Sequence, residues 1–166
     1  MSDQTDPDSE IRREGRREHT ADHVADQAPS LTIRRRLRAS AAQVWAAWTQ
    51  PEQLMRWMQP LGNTCVHAEA DVRVGGRFRV VMHAPDGEVH DVSGRYLEVV
   101  PEQKLAFTWA WHTTPQRESR VTVRLHAEGE ATLLTLTHER FFDEAARNSH
   151  HQGWTSALDL LAARFG

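Results

Sequence analysis

Between Cys65 and about Arg140 the chain repeats one pattern: short runs in which apolar and polar side chains alternate, each closed by residues that reverse a chain. Successive side chains of a strand point to opposite faces, so these runs read as strands with one dry side and one wet side. Gly75-Gly76, Pro85-Asp86-Gly87, Val100-Pro101-Glu102-Gln103 and Glu128-Gly129-Glu130 supply the reversals, because Gly reaches positive φ and Pro presets the first turn position. The product is an antiparallel meander. Its dry face carries Phe78, Val80 and Met82, then Leu105, Phe107, Trp109 and Trp111, then Val121, Val123 and Leu125, and last Leu134, Leu136 and His138. Arg77, Arg79, Thr108, Thr122, Arg124, Thr135 and Thr137 stand on the wet face. The run from Glu88 to Val100 fixes no register, since Leu97 and Val99 oppose Tyr96 and Val100.

A sheet with one dry face needs a cover. From Asp143 to Phe165 the residues His150, Trp154, Leu158, Leu161 and Phe165 recur at three- and four-residue spacing, and Asp143 suits an N-cap, which predicts one long C-terminal helix across that face. Gly153 falls inside it. A mid-helix glycine costs about 1 kcal/mol relative to alanine, so the position is expected to permit close approach of a strand or a ligand. Upstream, LTIRRRL reads as a strand with Leu31, Ile33, Arg35 and Leu37 on one face. Arg35 is out of place there, and it either pairs with an inward carboxylate or reaches past the sheet edge to water. Ser40 and Gln43 form a capping box before a helix bearing Val44, Trp45 and Trp48. Pro51 opens a second short helix with Leu54, Trp57 and Met58 on one stripe, closed by Pro60.

Charge separates the chain into two parts. Residues 1–30 carry eight acidic and four basic side chains, while 15 acidic and 16 basic ones follow. Met1, Ile11 and Val24 are the only sizeable apolar residues before Ala28, too few to offset the entropy of ordering. Residues 1–30 are therefore expected to form a disordered acidic tail, with 31–166 as one domain. The domain is nearly neutral, which argues against nucleic acid or an anionic membrane as partner although 19 of the chain's 20 cations are arginine. No run approaches a membrane span and the first residues have no apolar signal core, so the expected location is the cytoplasm. Cys65 is the only cysteine, which leaves no disulfide framework and no zinc spacing.

The residues that carry chemistry form no catalytic template. Ten histidines include His138 and the pair His150-His151, but none sits at metal-ligand spacing. His138 and Glu139 are adjacent in a strand and face opposite ways, so they cannot share a proton-transfer task; His138 is expected to be a satisfied polar residue at a pocket edge. No serine or cysteine has a nucleophile elbow, and Gly75-Gly76 lacks the lysine and helix of a phosphate loop. No catalytic residue, metal or cofactor is expected.

The order strand, two short helices, six-strand meander, long helix resembles the helix-grip fold of START-related and pollen-allergen-like proteins, an α+β fold in which a curved antiparallel sheet wraps a C-terminal helix. VWAAWTQPEQLMRWMQP, DVRVGGRFRV, GRYLEVVPEQKLAFTWAW, LTLTHERF and HHQGWTSALDLL are similar, in that order, to the family related to the C-terminal domain of the activator of Hsp90 ATPase. The likeness covers about residues 31–166, and the acidic tail departs from it.

The resemblance implies a cavity between sheet and helix that holds a small apolar or amphipathic molecule. Trp57, Phe78, Met82, Trp109, Trp111, Trp154 and Leu158 would supply its aromatic surface, with Arg35, Tyr96 or His138 orienting a polar end. The same residues also suit a plain packed core. Non-catalytic ligand binding is the expected function. Two others stand beside it: a co-chaperone acting on an Hsp90-type ATPase, and a cyclase- or hydrolase-like enzyme using the same cavity. An open edge at the first or second strand would suit a homodimer.

Overall fold

The computed structural model describes residues 28–166. The acidic segment 1–27, where a disordered tail is expected, lies outside them. Residues 28–30 lead into the domain, with the Pro29 carbonyl accepting from the Phe141 amide and the Ser30 carbonyl from the Arg147 guanidinium.

Strand β1 (Leu31–Leu37) is followed by helices α1 (Ala41–Thr49) and α2 (Pro51–Trp57) and a short 3-10 turn (Pro60–Gly62). Six strands come next: β2 (Thr64–Ala70), β3 (Arg77–His83), β4 (Val89–Val100), β5 (Lys104–Trp111), β6 (Ser119–Glu128) and β7 (Ala131–Glu139). Helix α3 (Glu144–Ala163) ends the chain. The sheet order is β1-β7-β6-β5-β4-β3-β2, every pair antiparallel. The meander and its cover are thus as the alternation predicts. So are the capping box of Ser40 and Gln43 and the Asp143 cap, whose carboxylate accepts from the Ala146 amide at 2.8 Å.

Strand β4 departs from simple alternation for a local reason. Tyr96 pairs with Phe107 and Val99 with Leu105, so β4 uses one residue more than β5 between these pairs. A bulge there switches the inward parity: Val92 and Tyr96 face the core before it, Val99 after it. No single period can describe such a strand. Just upstream, Gly94 lies so close to β5 that an added Cβ would stand 1.8 Å from the Thr108 carbonyl oxygen and 2.6 Å from the Phe78 ring. The Arg95 amide there donates to the Thr108 hydroxyl at 2.9 Å instead of to backbone.

One core joins all elements. Leu134 and Leu136 of β7, Val121 and Val123 of β6, Val44 and Trp48 of α1, and Leu158 and Leu161 of α3 meet between sheet and helix. Helix α2 is fixed by Trp57, fully buried, whose indole N–H donates to the Ala47 carbonyl at 2.8 Å. Cys65 is a buried thiol, and burial raises its pKa. Among the described residues no helix is long and apolar enough to cross a membrane, and no cluster of His, Cys, Asp or Glu is arranged to hold a metal ion.

Candidate ligand cavity

Sheet and helix do not close on each other along their whole length. Between β3–β5 and the N-terminal half of α3 lies a cavity of about 610 Å³, within the range of small-molecule sites. Its walls come from Met82 of β3, Trp109 and Trp111 of β5, and Gly153, Trp154 and Ala157 of α3. Met58 follows α2 at the floor. The mouth lies between the 3-10 turn and the β3–β4 hairpin, where Leu61 and Val89 are 61% and 54% exposed. Leu61 adopts a left-handed φ of 54°, and its amide is tied to the Ser156 hydroxyl of α3 at 2.9 Å.

Gly153 explains why the space exists. Nothing lies within 4 Å of the position its Cβ would take, so the glycine is not there to let a strand approach. It leaves the cavity wall bare.

Two indole–imidazole pairs hold the rest of the wall. The Trp154 N–H donates to Nδ1 of His138 at 3.0 Å, and Nε2 of His138 meets the Ser119 hydroxyl at 2.7 Å. An imidazole that accepts at Nδ1 carries its proton on Nε2, so His138 donates to Ser119, which in turn donates to the Trp109 carbonyl at 3.2 Å. The second pair faces the cavity. The Trp111 N–H donates to Nε2 of His150 at 2.9 Å, and Nδ1 of His150 bonds the Ala146 carbonyl at 2.6 Å, which places its proton there. Both rings are neutral in this network. Burial pushes the pKa of His138 well down, helped by His150 5.1 Å away, and burial also lowers that of His150 against the opposing Ala146 bond. Trp109 stands edge-on to Trp111, and its buried indole N–H has no hydrogen-bond partner among the described residues.

The sequence-derived site residues divide into three groups. Met82, Trp109, Trp111 and Trp154 line the cavity. Trp57, Phe78, Tyr96, His138 and Leu158 lie in the core behind it: Phe78 packs edge-on against Phe107 and beside Tyr96, whose phenol burial pushes up, and Leu158 is fully enclosed. His138 is behind the wall, not at the pocket edge, and acts on the cavity through Trp154. Arg35 is elsewhere, its guanidinium 3.4 Å from the Asp159 carboxylate on α3. Arg35 thus has a carboxylate partner, but one at the solvent side of α3 and not the inward carboxylate that its place on the dry face suggests. Glu88, His90, Asp91, His112 and Asn63 also line the cavity, and the sequence reading passes over them. Their signal is position, since Glu88, His90 and Asp91 flank the Pro85-Asp86-Gly87 turn at one end of the sheet.

A curled seven-stranded sheet gripping one long helix over an aromatic-walled cavity places the molecule in the helix-grip class of α+β proteins. The chain belongs to the family described as activator of Hsp90 ATPase homolog 1-like protein, which residues 38–166 match. Among solved structures it is similar to protein CV1439 from Chromobacterium violaceum, with 28% identity and a TM-score of 0.76 over 82% of this chain and 96% of that one. The AHSA1 protein SPO3351 from Silicibacter pomeroyi is 30% identical, with a TM-score of 0.70 over 82% and 96% of the two chains. CalU16 from Micromonospora echinospora is 33% identical, with a TM-score of 0.61 over 81% and 74%. No curated protein matches this chain.

Proposed function

We propose that the protein is a non-catalytic binding module for a small apolar or aromatic molecule, held in the cavity between β3–β5 and α3. The observation that carries this reading is Gly153. A glycine at the tenth position of a 20-residue helix gives up about 1 kcal/mol of helix stability against alanine. No packing constraint requires it, because the space beside it is empty, and a binding site accounts for keeping that space open. The wall of three tryptophans and two methionines supplies contact area with few polar demands. A non-catalytic role is supported by the histidines, since both ring nitrogens of His138 and of His150 are engaged in hydrogen bonds.

The test is a thermal-shift screen of the full chain against sterols, fatty acids, aromatic polyketides and amphipathic amines, run beside Gly153→Leu. Ligand at about a hundred times its Kd adds roughly 2.7 kcal/mol, several degrees in Tm for a domain of this size. A shift in one chemical class that vanishes in a well-folded Gly153→Leu protein supports the reading; a shift that survives the filled cavity refutes it.

A second reading follows from the family match: a regulatory module acting on an Hsp90-type ATPase, with an exposed surface of the domain as the contact. Co-purification with Hsp90 and a change in its ATP turnover would support it, and neither would occur for a protein that only binds small molecules.

A further inference from the structure

The charge around the cavity narrows the class of ligand, an inference that rests on the binding reading above. Sixteen of the chain's 20 arginines and lysines follow residue 30, yet among the described residues none lines the cavity. Two acidic residues border it, Glu88 and Asp91, both on the hairpin side of the mouth, but the Asp91 side chain points to the wet face of the sheet. Asp91 is committed elsewhere. Its two oxygens accept from the Arg79 guanidinium at 3.1 and 2.9 Å, and that pairing holds its pKa down. Glu88 is exposed and makes no ion pair with any described residue. The two histidine–tryptophan pairs are neutral, and the unpartnered Trp109 N–H is buried.

An anionic head group entering this space would lose its hydration against the electron-rich faces of Trp109, Trp111 and Trp154. It would find no cation to compensate, and Glu88 would repel it. A protonated amine meets the opposite field. Tryptophan faces attract cations once water is excluded, and Glu88 at the mouth can pair with the ammonium group. We infer that the cavity selects an arylalkyl amine, with its flat aromatic body between the sheet tryptophans and α3 and its ammonium group at the mouth beside Glu88, and that it rejects carboxylic acids of the same shape.

Three probes with one body test this by calorimetric titration of the full chain: 2-(2-naphthyl)ethylamine, 2-(2-naphthyl)ethanol and 2-naphthylacetate. The amine should bind at least tenfold more tightly than the acid, with the alcohol between them. Glu88→Gln, a change at an exposed site, should leave Tm unchanged, weaken the amine about threefold to fivefold and spare the alcohol, in line with an exposed ion pair. Equal binding of all three, or a tighter acid, overturns the amine inference while leaving the binding reading intact. An amine preference unchanged in Glu88→Gln overturns the assignment to the mouth. If no probe binds, the amine inference falls, and the binding reading stands or falls separately on the thermal-shift screen.

Discussion

Replacing Gly153 with alanine should stabilise this protein, which is the reverse of what most substitutions in a folded chain do. Gly153 sits more than two turns from either end of α3, where the full propensity difference between glycine and alanine, about 1 kcal/mol, applies. Part of that difference is entropy the unfolded chain no longer loses. The new methyl group meets no atom within 4 Å, so no packing penalty subtracts from the gain. For a folded region of 139 described residues, 1 kcal/mol corresponds to a rise in Tm of about 3–4 °C. Urea or thermal unfolding of the full chain, read by far-ultraviolet circular dichroism, measures it directly. An unchanged or lowered Tm would show that α3 packs more tightly against the sheet in solution than the open space at Gly153 implies. Gly153 would then not be what preserves the cavity.

Gly94→Ala should do the opposite, because its Cβ would stand 1.8 Å from a backbone oxygen; a loss of about 3 kcal/mol or more in urea unfolding is expected. Trp57→Phe removes a buried indole N–H and leaves the Ala47 carbonyl, now accepting at 2.8 Å, without that donor, at a cost of about 1–3 kcal/mol. Asp159→Asn should cost well under 1 kcal/mol in the same assay, since the pair with Arg35 is long and its carboxylate 66% exposed. Stability should also fall in mild acid. His138 and His150 have folded pKa values below their usual 6.5, so the unfolded chain binds protons first: their contribution is complete above about pH 6.5 and drains as pH falls, by at most about 1.4 kcal/mol per pH unit and histidine. The slope between pH 6.5 and 5 should be shallower in His138→Gln, and equal slopes would mean that His138 is already charged in the fold.

Most of the fold is legible in the sequence because the elements obey their own periods. Alternation places Phe78, Val80 and Met82 on one face, and the same residues are buried; the capping box at Ser40 and the Asp143 cap appear where their spacing puts them. Strand β4 resists for a physical reason, since a bulge after Tyr96 reverses parity and a period-two reading has no way to count the extra residue. Leu61 is opaque in the same manner: nothing in the sequence marks a leucine for a left-handed turn, and the tie to Ser156, 95 residues away, is tertiary.

The site is less legible because packing and lining leave the same mark. Trp57, Phe78 and Leu158 share the stripe and the apolar character of Trp109, Trp111 and Trp154, yet the first three are enclosed and the second three bound a cavity. Periodicity reports which face a residue takes, and the distance across that face depends on how far α3 stands from β3–β5. That distance is set at positions a periodic reading discounts. Gly153 contributes no side chain, and the His138–Trp154 and His150–Trp111 bonds join residues 16 and 39 positions apart. These bonds orient two of the three wall tryptophans through imidazoles that can accept only while neutral. Protonating His150 would set an N–H against the Trp111 N–H across 2.9 Å, a donor facing a donor. The shape of the cavity should therefore change once pH falls below the lowered folded pKa of His150, with Trp111 the first wall residue released.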